Sequence, residues 1–330
     1  MDKVQTIYVE SEFAPLRTVV LTQSELVFPH EKDNGGDYDF LPEEILDLYE
    51  GVDIAGKNYK DLFPERQRQW EQERENLKTI LEKYGVRVLR PRLLTDYEKE
   101  FNKECGCSNF FVRDPFFTIG SSVIEGSLRF FHRRNEIWPV RDILMQETSV
   151  SDAFYVSVPK ADMATGIDSE AGPFLEGGDI LIWGKTVFVG NSGLASNHNG
   201  FLWLKSYLSH WDYRVIEVPL REDVLHLDCA LSLVREGLMI ICEEAMLNGV
   251  PEPLKNWDRI SVSYQDVAHL AVNGLPVNEQ VYITDPAFGQ LVGELEKRNI
   301  HVELVDFQIS RSLGGSLRCS TQPLCRSYFI

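Results

Sequence analysis

One local pattern recurs along this chain and limits the folds that it can adopt. An amphipathic helix leads directly into a short apolar strand, most clearly where the helical spacing of apolar residues over 66–84 ends at Gly85 and a strand follows over 86–91. The same order is predicted twice more, and apolar runs separated by small turn residues predict hairpins between these units. The further helix-to-strand segments are 204–219 and 291–305, a fourth single strand is 152–159, and the hairpins are 116–124, 179–189 and 229–242.

These segments together predict a strand-strand-helix-strand unit that is repeated four or five times. Over 330 residues, five such units would take about 66 residues each. A unit of this size cannot bury its own apolar faces, so the units are expected to close around a common axis. The sequence therefore predicts an α/β fold, and with 43% hydrophobic residues the chain can bury a large core.

The amino-acid composition limits the kinds of molecule that the chain is expected to bind. With 33 basic and 51 acidic residues the formal charge is −18, which disfavours nucleic acid as a partner. The charge would attract a cationic ligand, but solubility alone accounts for it more simply. The apolar runs are only as long as strands, so we expect no membrane span. Residues 1–6 lack the basic and apolar regions of a signal peptide, and six cysteines without a C-x-x-C pair suggest reduced thiols in a cytoplasm.

A glycine-rich loop near residue 320 is the first candidate for chemistry. Gly314 and Gly315 allow a tight loop, and Cys319 follows among small polar residues, an arrangement that presents a thiol at a site. Cys242, by contrast, lies within an apolar run that is typical of core packing. Polar motifs that could act with this thiol lie upstream, namely Phe111-Val112-Arg113-Asp114-Pro115, Glu176-Gly177-Gly178-Asp179 and His226-Leu227-Asp228.

These residue types match the needs of an attack on a guanidinium. Its carbon is a poor electrophile, so an enzyme needs paired carboxylates as a clamp, a strong nucleophile and a proton carrier. Asp114 and Asp228 are candidate clamps, and Cys319 is the candidate nucleophile. His226 is the candidate acid and base, with Glu176 as its partner. If 226–228 were a strand, His226 and Asp228 would project from one face. Taken singly, each motif is equally compatible with a turn or a structural contact.

In this order the motifs resemble those of the guanidino-group-modifying enzymes. That superfamily comprises arginine deiminases, agmatine deiminases, dimethylarginine dimethylaminohydrolases and amidinotransferases, and the resemblance begins at 11–20 and covers most of the chain. It implies the pentein fold, a five-bladed α/β propeller, with 1–330 as a single catalytic domain. It also implies a covalent thiouronium-type intermediate on Cys319, with His226 moving the protons.

The resemblance further assigns the guanidinium clamp to Asp114 and Asp228, support of the site to Glu176, and substrate binding also to Asp179. No metal and no organic cofactor are implied. The partner is a small guanidino substrate, and a homodimer is compatible with the sequence. Arg133, in Arg133-Arg134-Asn135-Glu136, is similar to an arginine that binds the substrate carboxylate in arginine deiminases, although an exposed salt bridge accounts for it equally well.

Hydrolases and amidinotransferases differ only in whether water or an amine accepts the amidino group. The Glu176–Asp179 motif and Cys319-Ser320-Thr321-Gln322 resemble hydrolases, which we favour, whereas 112–115 with 123–125 resembles amidinotransferases. A second arginine expected after the 179–189 hairpin is missing, which disfavours free arginine as the substrate.

Other interpretations stay open at this point. One rival is a cysteine protease with a His226–Cys319 dyad, and another is a pentein-fold binding protein without turnover. The acidic stretch 28–56 is a candidate lid or a plain loop. Cys105 and Cys107 are expected to be two buried or loop thiols rather than metal ligands.

Overall fold

Strands and short helices alternate throughout the computed structural model, which describes residues 7–30, 51–162, 164, 166, 169 and 171–329. The strands are β1 Tyr8–Val9, β2 Leu16–Leu21, β3 Glu25–Val27, β4 Arg87–Leu89, β5 Cys107–Asn109, β6 Phe116–Ile119, β7 Ser122–Glu125, β8 Phe154–Ser157, β9 Ile180–Trp183, β10 Thr186–Asn191, β11 Arg214–Pro219, β12 Leu231–Arg235, β13 Leu238–Ile241, β14 Asp258–Ser261, β15 Leu275–Asn278, β16 Val281–Thr284, β17 His301–Leu304 and β18 Thr321–Arg326. The α-helices are α1 Tyr59–Leu62, α2 Pro64–Lys83, α3 Asp96–Phe101, α4 Trp138–Ser149, α5 His198–Leu208, α6 Tyr264–Ala268, α7 Gly289–Lys297 and α8 Gln308–Arg311.

Five of the sheets are built to one plan. In each, two strands pair antiparallel and the second of them pairs parallel with a third strand. The five sets are β6–β7–β8, β9–β10–β11, β12–β13–β14, β15–β16–β17 and β18–β2–β4. The α/β class and the predicted hairpins are confirmed, whereas closure of the units around a common axis stays a prediction.

A helix usually connects the second strand of a unit to the third. Helices α2, α4, α5 and α7 fill this position, and short 3-10 turns over 243–245 and 252–254 replace the helix in the third unit. Helix α2 starts with Pro64, whose ring presets the first helical turn, and the chain leaves it through Gly85 at φ +75°. This conformation favours glycine and turns the chain into β4, as the sequence predicts.

The sheet β1–β18–β2–β4 joins segments that are far apart in the sequence. Strand β18 lies between β1 and β2, pairing parallel with the first and antiparallel with the second. Arg326 strengthens this junction because its Nη1 donates to the carbonyl of Ala14, 312 positions away, at 3.0 Å. The loop that carries Cys319 therefore leads directly into a central strand.

The predicted lid, 28–56, lies mostly outside the described residues. Its two ends are held together, because Phe28 N donates to Lys57 O at 2.9 Å and Gly56 N donates to Pro29 O at 3.1 Å. No helix within the described ranges is both long enough and apolar enough to span a bilayer.

Candidate active site

The sequence motifs lie at equivalent places in the repeated units. Asp114 precedes β6, Asp179 precedes β9, Asp228 precedes β12 and Cys319 precedes β18, each within three positions of the first hairpin strand. A repeated unit places equivalent positions at the same end of each sheet. The chain thereby gathers carboxylates and a thiol from four units.

His226 and Glu176 form the closest contact of the site. The imidazole Nε2 lies 2.9 Å from Glu176 Oε2, and both side chains are buried, at 1% and 0% exposure. Burial alone would lower the pKa of His226, but the charge of Asp114 and the hydrogen bond to Glu176 outweigh it and raise the pKa to about 10. The ring is therefore an imidazolium at neutral pH and donates to Glu176.

Asp114 is held by a backbone amide and an arginine. Its Oδ1 accepts from Gly178 N at 3.1 Å and lies 3.8 Å from His226 Nε2, while its Oδ2 accepts from Arg133 at 2.8 Å. A Cβ at Gly178 would lie 2.6 Å from the His226 ring, so glycine is required for this approach. Burial opposes ionisation of Asp114, yet the His226 and Arg133 cations keep its pKa below the usual value.

Arg133 enters the same cluster, but as a partner of the chain's own carboxylates. Besides Asp114, its guanidinium contacts Glu136 Oε2 at 3.0 Å and Glu176 Oε2 at 3.5 Å. The side chain is buried, so the alternative of an exposed salt bridge is wrong. Its binding of a substrate carboxylate stays a prediction.

Asp228 lies over a buried network of arginines. Its Oδ2 is 3.3 Å from Arg318 Nε and 4.0 Å from Arg113 Nε, and both guanidinium groups also contact Glu12. That oxygen makes no hydrogen bond to a described residue, but it lies within ion-pair distance of both guanidinium groups. Burial raises the pKa of Asp228, opposed by the positive charge of Arg318.

The strand suggested for 226–228 is wrong. His226 is extended, but Leu227–Cys229 forms a 3-10 turn, so Asp228 does not share a strand face with it. His226 and Cys229 line the cavity, whereas Asp228, between them in the sequence, is not among its lining residues.

Asp179 joins two segments. Its Oδ1 accepts from Leu227 N at 2.9 Å and its Oδ2 from Ser196 N at 3.2 Å. A Cβ at Gly190 would lie 2.2 Å from Oδ1, which shows how closely the backbone approaches. Burial raises the pKa of Asp179 to about 7. Its contacts position the segment after His226, and its predicted contact with substrate stays a prediction.

Cys319 is 4% exposed and lines a cavity of about 50 Å³. The cavity wall combines acidic, basic and aromatic side chains, among them His226, Asp114, Arg133, Glu136, Phe110 and Phe111. Burial, followed by the charges of Asp228 and Asp114, raises the pKa of the Cys319 thiol well above its usual value. The thiol is therefore protonated before a cation binds.

Asn273 is a site residue that the sequence did not reveal. Its Oδ1 accepts from Cys319 N at 3.1 Å, and the carbonyl of Cys319 accepts from Val112 N at 3.0 Å and Arg113 N at 3.1 Å. Asn273 precedes β15 as the other site residues precede their hairpins. This shared offset was the available signal.

The ligand atoms of Asp114, Glu176 and His226 lie within 4.8 Å of one another, as metal ligands would. The guanidinium of Arg133 already contacts two of them, which makes the cluster suited to a cation of this shape. Cys105 and Cys107 both line the cavity, and no metal-ligand cluster forms around them among the described residues. None of the six cysteines, all of which lie among the described residues, forms a disulfide.

A family model described as N,N dimethylarginine dimethylhydrolase, eukaryotic, matches residues 64–326. The chain belongs to this dimethylarginine dimethylhydrolase family. This family is part of the superfamily of guanidino-group-modifying enzymes, which includes both hydrolases and amidinotransferases. The chain is therefore an enzyme that acts on guanidines.

Two relatives outside this family name have sequences similar to the chain over about two thirds of its length or more. An uncharacterized protein, YkgA, from Bacillus subtilis is 28% identical over 217 residues, covering 66% of this chain and 69% of the relative. Inosamine-phosphate amidinotransferase 1 from Streptomyces glaucescens is 26% identical over 299 residues, covering 80% and 83%.

A solved structure shows the fold. The inosamine-phosphate amidinotransferase from Streptomyces griseus superposes with a TM-score of 0.77 at 22% identity, covering 98% of this chain and 97% of the other. The chain therefore has the same fold as that enzyme.

Proposed function

We propose that the chain is a cysteine-dependent hydrolase that acts on the guanidinium group of an arginine-like compound. One observation carries the proposal: Cys319, His226 and Asp114 line the same cavity, and the imidazole is bonded to the buried Glu176. Membership of the dimethylarginine dimethylhydrolase family supports the same chemistry.

The clamp would act first. A planar guanidinium between Asp114 and Asp228 would donate hydrogen bonds to both carboxylates, including the Oδ2 of Asp228, which is ion-paired with Arg318. The same two carboxylates raise the pKa of Cys319, so neutralising them with a bound cation lowers that pKa. Substrate binding would thus favour loss of the thiol proton to solvent, and the resulting thiolate would attack the bound cation.

Two balanced steps follow. The Cys319 thiolate forms a C–S bond to the guanidinium carbon, the C–N bond to the leaving amine breaks, and His226 gives that amine its proton. Neutral His226 then takes a proton from water, whose oxygen attacks the same carbon. The C–S bond breaks to restore the thiolate, the remaining hydroxyl proton passes to solvent, and a neutral ureido product is released. Glu176 would keep His226 oriented in both steps.

Arg133 would bind the carboxylate of the substrate. In the structure its guanidinium is held by Asp114 and Glu136, so a substrate carboxylate would have to share or replace these contacts. Asp179 is proposed to position the segment after His226, given its two backbone amide bonds.

An amidinotransferase is the second candidate. A specific observation favours it: the amidinotransferase from Streptomyces glaucescens covers 80% of this chain. Amine attack on the same intermediate would need no additional protein group, because His226 could deprotonate the amine as it would water.

The fold proposal is a five-bladed propeller that forms one catalytic domain. The five sheets of one plan and the likeness to the amidinotransferase structure support it.

The function is tested by incubating the protein with arginine, agmatine, methylated arginines and other guanidino acids, with and without glycine or ornithine, followed by mass spectrometry. A ureido product that forms without an acceptor is expected. A new guanidine that forms only with an acceptor would establish the amidinotransferase instead. Binding of guanidines without any product would support the binding protein, and cleavage of peptides without reaction of guanidines would support the protease. Cys319→Ala is the matched inactive control.

A further inference from the structure

Helix α2 carries two adjacent charged residues that the proposed reaction does not use. Glu73 is 5% exposed and Arg74 is 0% exposed. Burying two charges is costly unless each is paired and hydrogen-bonded. The hydrogen-bond partners of Glu73 and Arg74 therefore show which segments of the protein this pair connects.

Glu73 binds the segment that precedes the cysteine loop. One carboxylate oxygen accepts from Ile309 N at 2.6 Å, and the other accepts from Ser310 N at 3.1 Å and from Ser310 Oγ at 2.5 Å. This set of bonds fixes the start of α8, and Ser312 and Leu313 connect the end of this helix to Gly314 and Gly315.

Arg74 links that segment to the opposite wall of the cavity. Its Nη1 donates to Ser310 Oγ at 2.7 Å, and its Nη2 donates to Phe110 O at 3.3 Å. The guanidinium carbon also lies 4.9 Å from the centroid of the Phe307 ring. Burial lowers the pKa of Arg74 to about 9, against the opposing charge of Glu73, so the side chain is charged at neutral pH.

The two attachment points continue into walls that meet beside the thiol. A Cβ at Gly315 would lie 2.4 Å from the Phe111 ring and 2.9 Å from Cys319 Cβ. Phe110, Phe111, Gly314 and Cys319 all line the cavity. A shift of Ser310 relative to Phe110 would therefore change the space at the thiol.

We propose that Glu73 and Arg74 are a positioning pair that holds the cysteine loop against the Phe110–Phe111 wall and so sets the width of the cavity at Cys319. The inference rests on the proposed function for its catalytic meaning, but the cavity width can be measured without turnover. Releasing the pair is expected to admit larger reagents and, in an active enzyme, to loosen discrimination against larger guanidines.

The test compares alkylation of Cys319 by iodoacetamide and by the bulkier N-ethylmaleimide, with the labelled cysteines located by mass spectrometry. Arg74→Met keeps the apolar stem but removes the three hydrogen bonds to Ser310, Phe110 and Gln23. Arg74→Lys restores the charge but can donate in fewer of these directions. Arg90→Met is the matched control, because Arg90 contacts Gln23 and Glu75 near the same helix without touching either wall. Alkylation of the buried Cys242 and Cys325 would indicate that a variant has loosened the whole protein rather than the cavity alone.

In Arg74→Met the ratio of N-ethylmaleimide to iodoacetamide rates at Cys319 is expected to rise about tenfold, which corresponds to about 1.4 kcal/mol. Arg74→Lys should give an intermediate ratio, and Arg90→Met should stay within about twofold of the wild type. An unchanged ratio in folded Arg74→Met overturns the inference, as does an equal rise at Cys242 and Cys325.

Should Arg74→Met fail to fold, Ser310→Ala is tested in its place and the same outcomes apply. This variant removes the hydroxyl that joins Glu73 to Arg74 but removes no charge. Turnover of the wild type is measured separately, so failure of the proposed function does not imitate failure of this inference.

Discussion

Raising the pH should remove a large stabilising contribution of His226. Its pKa is raised from the ordinary 6.5 to about 10, because Asp114 and the hydrogen bond to Glu176 favour the imidazolium. At about 1.36 kcal/mol per pKa unit, this shift of roughly 3.5 units corresponds to about 5 kcal/mol of folding free energy. Between these pH values the folded protein binds more protons at His226 than the unfolded chain does. The contribution is therefore complete below pH 6.5 and is lost as the pH rises to about 10.

The assay is urea unfolding of the wild type and His226→Gln across this pH range, together with an NMR titration of the His226 ring. The difference in unfolding free energy should be largest at the acidic end and should shrink steadily towards the alkaline end. His210→Gln, at an exposed histidine, is the control and should show no such trend. An NMR pKa at or below the ordinary value of 6.5, or a difference that is constant with pH, would refute the electrostatic reasoning.

Three further substitutions test the candidate site. Cys319→Ala should abolish turnover with little change in melting temperature, as checked by product formation and calorimetry; retained activity would exclude it as the nucleophile. Gly315→Ala should destabilise the protein by about 1–3 kcal/mol through overlap with the Phe111 ring, whereas Gly293→Ala, in open space on α7, should stabilise it by about 1 kcal/mol in urea unfolding. Asp228→Asn should remove one of the two carboxylates paired with Arg318, lowering the unfolding free energy by about 1–3 kcal/mol and weakening guanidine binding in calorimetry; unchanged values of both would contradict its role.

The sequence predicted the hairpins and the order of helices and strands because local chemistry determines them. Gly85 at φ +75° ends α2, and the turn glycines Gly120, Gly184 and Gly237 adopt positive φ values at the predicted hairpin turns. The site motifs were recognised from their residue types and their order along the chain, and the structure places each of them directly before a hairpin.

Other features depend on contacts between distant segments. The charges within α2 fit a solvent-facing side of an amphipathic helix, yet Glu73 and Arg74 are buried against a segment more than 200 positions away. Arg133 was assigned to a ligand carboxylate, but the fold brings it to Asp114. Asn273 carries no motif of its own. In each case the fold, rather than local spacing along the chain, brings the residue to its partners.

The placement of β18 between β1 and β2 has a consequence for the order of folding. Contacts between residues separated by hundreds of positions form slowly, because the entropy of closing so long a loop is lost before any contact repays it. The sheet that contains β18 should therefore be among the last to assemble, and Cys319, which leads into that strand, should reach its partners only then. A newly made chain would keep its nucleophile apart from His226 and the carboxylates until the rest of the molecule had folded.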